Sequence, residues 1–181
     1  MSQTYQWSAR LTGVLLSAVV VAQNVRSDVN IVIRGTVIEP ACSVTGLDGD
    51  TRTEVDFGSV PLNAVGTAKA QQPLRMRVTC NSAVPSGKSL KIYVNPVSDR
   101  TMSYNGRTVL GTSMIGLGIE LMDEFSTAVT PETWVAISGV DTGATAPAGE
   151  VTLLATLVTA DTGTLVADSF TSSASVVMAY Q

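Results

Sequence analysis

The chain of 181 residues contains no histidine. That removes the commonest general base and, with it, the Ser-His and Cys-His nucleophile arrangements on which many hydrolases depend. Cysteine is nearly as scarce: Cys42 and Cys80 are the only two, so a structural zinc site is short of ligands. Charge is sparse as well, at 14% of residues, with 11 Lys plus Arg against 15 Asp plus Glu. The basic residues are scattered between Arg10 and Arg107 without a cluster, which leaves nucleic acid no electrostatic footprint. No Walker loop, Gly-rich dinucleotide fingerprint or EF-hand loop is present. A Ser-Lys or two-carboxylate site is the remaining enzymatic route. Against it, Lys69, Lys88 and Lys91 fall in loop-like or strand-surface patterns, and the adjacent Asp123 and Glu124 read as a solvated turn rather than a glycosidase pair. Neither a catalytic residue nor a metal or cofactor is expected.

What is present begins with an uncharged run, Leu11 to Ala22, preceded by a polar segment whose one basic side chain is Arg10. This is the pattern of a secretory signal peptide. As a helix the run spans ~18 Å, short of the ~30 Å hydrocarbon core, so no permanent membrane span is expected. Cleavage after Ala22, with Val20 two residues before it, or after Ser27, with Val25, satisfies the small-residue rule equally well. Residues 1–27 are therefore read as the leader. Its removal takes away Arg10 and Arg26 and no acid, leaving a more acidic exported protein. Export places Cys42 and Cys80 in an oxidising compartment, where a disulfide between them is expected.

Beyond the leader the dominant period is two, which indicates an all-β domain. Leu74, Met76, Val78 and Cys80 share one face of a strand over Pro73 to Cys80, with Arg75, Arg77 and Thr79 on the other. Leu90, Ile92 and Val94 repeat the pattern, as do Ile115, Leu117, Ile119 and Leu121. Further strands are expected over Thr53 to Phe57, Thr133 to Ser138, Val151 to Thr159 and Phe170 to Tyr180. Turn chemistry separates them: Asp48-Gly49, Pro85-Ser86-Gly87, Asn105-Gly106, Asp141-Thr142-Gly143 and Asp161-Thr162-Gly163. Short strands at this spacing argue for an immunoglobulin-type sandwich, with a closed barrel as the alternative.

Four segments, in order, carry a resemblance to a known family. Asp28 to Ile38 (DVNIVIRGTVI) is an alternating apolar stretch containing a glycine, and Glu39 to Val44 (EPACSV) carries the first cysteine. Val55 to Val60 (VDFGSV) supplies a short segment between the cysteines, and Cys80 ends an alternating strand. Phe170 to Gln181 (FTSSASVVMAYQ) alternates up to a penultimate Tyr180. Together they resemble the pilin subunits of chaperone/usher fimbriae, such as those of type 1 and P pili. One departure is Ser172, where that family commonly has Ala.

The resemblance implies an incomplete immunoglobulin-like β-sandwich, the pilin fold, that lacks its seventh strand and is completed by a donor strand from another subunit. Residues 28–38 become the donor-strand extension and residues 39–181 the pilin domain. On the extension Val29, Ile31, Ile33, Gly35 and Val37 share a face and are the expected donor positions. The acceptor groove, which a periplasmic pilus chaperone fills first, is expected along Phe170, Ala174, Val176, Met178 and Tyr180. Its opposite wall is not identifiable from sequence. The implied partners are that chaperone, the outer-membrane usher and neighbouring pilin subunits, and the implied destination is a cell-surface fimbrium supporting adhesion. The short extension leans towards a minor tip or adaptor subunit. A carbohydrate-binding adhesin is the alternative. The chain is short for a lectin domain joined to a pilin domain, and Trp134, the one tryptophan beyond the leader, is expected in the core rather than stacked on a sugar.

Overall fold

Leu74, Met76, Val78 and Cys80 do alternate inward along a strand: in the computed structural model Met76, Val78 and Cys80 are buried and Leu74 half-buried, while Arg75, Arg77 and Thr79 face solvent. The structure describes residues 42–97 and 100–181. Within them lie the strands β1 (Cys42–Thr45), β2 (Gln71–Cys80), β3 (Leu90–Pro96), β4 (Thr101–Tyr104), β5 (Arg107–Gly111), β6 (Gly118–Asp123), β7 (Trp134–Ala136), β8 (Ala148–Val158) and β9 (Ala174–Tyr180). The expected leader and donor segment, with Val29, Ile31, Ile33, Gly35 and Val37, lie outside the described residues. No helix among the described residues is long and apolar enough to cross a membrane.

Two antiparallel sheets form. One has the order β1-β2-β8-β6-β5-β4 and the other β7-β3-β9. The long β2·β8 ladder sets the register of the first, with Leu74 opposite Leu153 and Met76 opposite Val151. In the second, Ile92 lies opposite Met178 and Val94 opposite Val176. The inward faces meet in one core in which Val78, Ile92, Leu153 and Met178 are fully buried. Each such side chain contributes about 1.5–3 kcal/mol of hydrophobic burial. The order β1-β2-β8-β6 reproduces strands A, B, E and D of an immunoglobulin sandwich, and the β3·β9 pair reproduces C and F.

Cys42 and Cys80 are bonded, as expected, and lie directly opposite each other on β1 and β2. The bond therefore joins neighbouring strands of one sheet, unlike the inter-sheet bridge of antibody domains.

Three expectations need correction. Thr53 to Phe57 is not a strand, and residues 51–60 carry no ladder pairing. Only the side chains of Phe57 and Val60 reach the core from that stretch. The strand expected from Ile115 begins at Gly118, because Thr112 folds the preceding residues into a loop: its hydroxyl accepts from the Met114 amide (3.1 Å) and donates to the Leu117 carbonyl (3.0 Å). Ile115 is consequently exposed, while Leu117, Ile119 and Leu121 are buried. The final strand begins at Ala174 rather than Phe170. The expected turn at Asn105-Gly106 is present, as the two-residue turn of a β4–β5 hairpin, both residues at positive φ (48° and 76°) as a primed turn requires. The turn was legible, but its flanking strands TMSY and RTVLG alternate too weakly to reveal themselves.

Candidate functional site

The residues expected to line a groove converge on β9, and the strand is held at both ends. At its start, the Ser113 amide donates to the Thr171 carbonyl (2.8 Å) and the Thr171 amide to the Ser113 hydroxyl (2.9 Å). The Ser172 hydroxyl donates to the Gly111 carbonyl (2.7 Å) and the Val97 amide to the Ser173 carbonyl (2.9 Å). Residues 171–173 therefore stitch the end of β5 in one sheet to the end of β3 in the other. At the far end, Ser89 and Gln181 exchange backbone hydrogen bonds of 3.0 and 2.9 Å. There the Tyr180 hydroxyl donates to the Ser82 carbonyl. Burial holds the Tyr180 hydroxyl above the usual tyrosine range, because the phenolate loses solvation.

Along β9 the inward positions differ in depth. Met178 is fully buried, Val176 and Tyr180 are half-buried against the core, and Ala174, opposite Pro96, is exposed. Phe170 lies ahead of the strand and packs its ring on Phe57, with centroids 6.1 Å apart. Met178, Val176 and Tyr180 thus share one face, and Phe170 joins them through Phe57 rather than through the strand.

β9 hydrogen-bonds β3 along one edge. Among the described residues no strand pairs with its other edge. In an immunoglobulin sandwich that second edge of strand F carries strand G. Among the described residues β1 pairs only with β2, and it lies beside β9, facing that edge from the other sheet. Val44 of β1 packs against the same core. This is the wall that sequence reasoning did not name. Its signal was the Cys42–Cys80 pair, which fixes β1 at the edge of β2, but only once the order of strands is known. An edge of this kind offers a row of N–H and C=O groups and an apolar floor, which is what an added strand recognises.

Among the described residues, none of the groups weighed for catalysis forms an ion pair with another. Lys69 and Lys88 are exposed, Lys91 is half-buried on β3, and Glu124 is exposed. The Asp123 carboxylate accepts from the amides of Phe125 (2.9 Å) and Thr127 (2.7 Å), so it builds its own turn. Glu120, buried on β6, lies 3.6 Å from the Arg107 guanidinium. No group of three potential metal ligands occurs among the described residues. Trp134 departs from its expected place in the core: it is half-exposed, opposite Tyr93 in register, with ring centroids 5.1 Å apart. Because Tyr93 alternates with the buried Ile92 and Val94, that pair covers the outer face of the second sheet.

The family model of fimbrial proteins matches residues 31–181. No curated protein sequence matches the chain. Among solved structures, the chain is similar to the P pilus rod subunit PapA at 14% identity and a TM-score of 0.56, covering 78% of this chain and 99% of that one. It is similar to the P pilus adaptor subunit PapF at 24% identity and a TM-score of 0.52, covering 81% of this chain and 100% of that one. A third similar structure, described for rod uncoiling in a chaperone-usher pilus, gives 14% identity and a TM-score of 0.53, covering 86% of this chain and 96% of that one.

Proposed function

This chain belongs to the fimbrial protein family, a structural rather than enzymatic family of pilus subunits, and on that premise we propose that it polymerises by donor-strand exchange, with the outer edge of β9 as its acceptor. The observation that carries the proposal is the edge of β9, at the position of strand G, that no strand among the described residues pairs, with β1 as the facing rim. In this reading residues 1–27 are a leader removed on export, with cleavage after Ala22 or Ser27. Residues 28–38 are the donor extension and residues 39–181 the pilin domain. The groove floor is formed by Val176, Met178 and Tyr180, with Phe170 and Ala174 towards its start. A periplasmic chaperone occupies the groove first, and at the outer-membrane usher the extension of the next subunit replaces it.

The donor side chains Val29, Ile31, Ile33 and Val37 enter the groove, each burial being worth about 1.5–3 kcal/mol, while Gly35 passes where the groove is shallow. The assembled fibre stands on the cell surface and supports adhesion, with this chain as a minor tip or adaptor subunit. Ile31→Asp and Gly35→Trp test the donor assignment. Each should leave the acceptor domain folded by circular dichroism and abolish insertion into a second subunit, because a charge or a bulky ring cannot enter an apolar slot. Loss of the domain fold itself in either variant would make the segment an internal strand and overturn the reading.

A further inference from the structure

Five large apolar residues are prominently exposed among the described residues: Leu47, Val97, Ile115, Phe125 and Val166. Three of them collect at one end of the sandwich, the end where β9 begins. Val97 directly follows β3 and donates its amide to Ser173, Ile115 sits in the loop between β5 and β6, and Val166 follows Leu165, beside that loop. Their exposures are 51%, 96% and 74%. The two loops touch: a Cβ on Gly116 would lie 3.8 Å from Leu165 Cδ2. Nor are the loops loose. Thr112 clamps residues 112–117 through its hydroxyl, Gly116 takes a left-handed φ of 81°, and Leu165 is buried and anchors Val166. Apolar side chains held out to solvent on fixed loops can dock with little further loss of conformational entropy.

We infer that Ile115, Val166 and Val97 form the surface on which the next pilin domain of the fibre docks, through its Cys42 end. The inference rests on the donor-strand reading and adds a domain-to-domain contact outside the groove. Every strand pair among the described residues is antiparallel. A donor added to β9 in the same sense leaves the groove with its C-terminal end beside Ala174, at the end that carries these residues. Only Glu39, Pro40 and Ala41 separate the donor segment from Cys42. Four Cα steps from Ile38 to Cys42 span at most ~14 Å, and proline limits the flexibility of the link. The next domain is therefore tethered, Cys42 end first, against this apolar end. A tether this short gives the second contact a high effective concentration, so even a small patch is occupied.

The test compares two donors for the same acceptor, the mature chain from residue 28 to 181: a synthetic peptide of residues 28–38, which has no domain to dock, and a second copy of the mature chain. The whole chain should be preferred over the peptide by on the order of tenfold, the value of burying about one such side chain. In the double variant Ile115→Asp, Val166→Asp the peptide should bind as before and the preference should vanish. Phe125→Asp, a charge placed elsewhere on the surface, should preserve it. If the double variant does not fold, Ile115→Ser with Val166→Ser carries the same comparison. A preference that survives in the variant, or is absent in the wild type, overturns the docking surface alone. Failure of the wild type to bind this peptide and, equally, a peptide of another subunit's extension overturns the donor-strand reading and the docking surface with it.

Discussion

The Tyr180 hydroxyl donates a 2.8 Å hydrogen bond to the carbonyl of Ser82, two residues beyond Cys80, and so ties the end of β9 to the segment that leaves β2. The contact crosses from one sheet to the other at the end of the open side where the Cys42–Cys80 bond lies.

Its protonation should be visible in stability. Burial raises the hydroxyl above its ordinary value of 10.0, so the folded state favours the neutral phenol. The contribution is fully present below about pH 10, and it is lost as the pH rises through the raised folded value, because the unfolded chain releases its proton first. Tyr180→Phe removes both the hydrogen bond and this titration. The variant should be less stable than wild type at pH 7, and the gap should narrow above pH 10 in parallel urea titrations. A gap independent of pH would mean that the hydroxyl is not held in this environment.

Cys42→Ser combined with Cys80→Ser opens a loop whose ends are separated by 38 residues. On the chain-entropy account this costs about 4 kcal/mol. Because the bond pins β1, one rim of the open side, the double variant should also bind a donor peptide more weakly. Denaturant midpoints and peptide titration measure both, and a change below about 1 kcal/mol would contradict the account.

Gly149→Ala introduces a Cβ that would collide with the Gly139 carbonyl oxygen and approach Val140 Cα to 2.9 Å, where Val140 and Gly149 form a bridge. The obstruction is backbone, which cannot rotate away. A loss of about 1–3 kcal/mol is expected. Ala148→Ser, at the exposed neighbouring position, should cost less than about 0.5 kcal/mol.

Strands with strict alternation and a buried face were legible in the sequence: β2, β3 and β9 carry Met76 and Val78, Ile92 and Val94, and Val176 and Met178 at period two. The β4–β5 hairpin was not, since its one strong signal is the Asn105-Gly106 turn and its strands are short. Ile115 misled because it continues the period of Leu117, Ile119 and Leu121, yet the side chain of Thr112 outcompetes the ladder for the nearby backbone. Of the site, the β9 face was readable from its own period. β1 was not, because a facing wall is set by strand order, which no local pattern encodes. Ser172, the departure from the family pattern, turns out to bind the Gly111 carbonyl and so helps stitch the two sheets.

The central claim is that β9 lacks a neighbour which another chain supplies, and thermal unfolding of residues 39–181, alone and with a saturating synthetic peptide of another subunit's extension, tests it most directly. Binding confined to the folded state stabilises by about 4 kcal/mol at a thousandfold excess over Kd, so Tm should rise by roughly 10 °C or more. The domain alone should melt low or self-associate. A monomeric domain that melts cooperatively at a temperature indifferent to the peptide would mean that the sandwich is already complete, and would contradict the account.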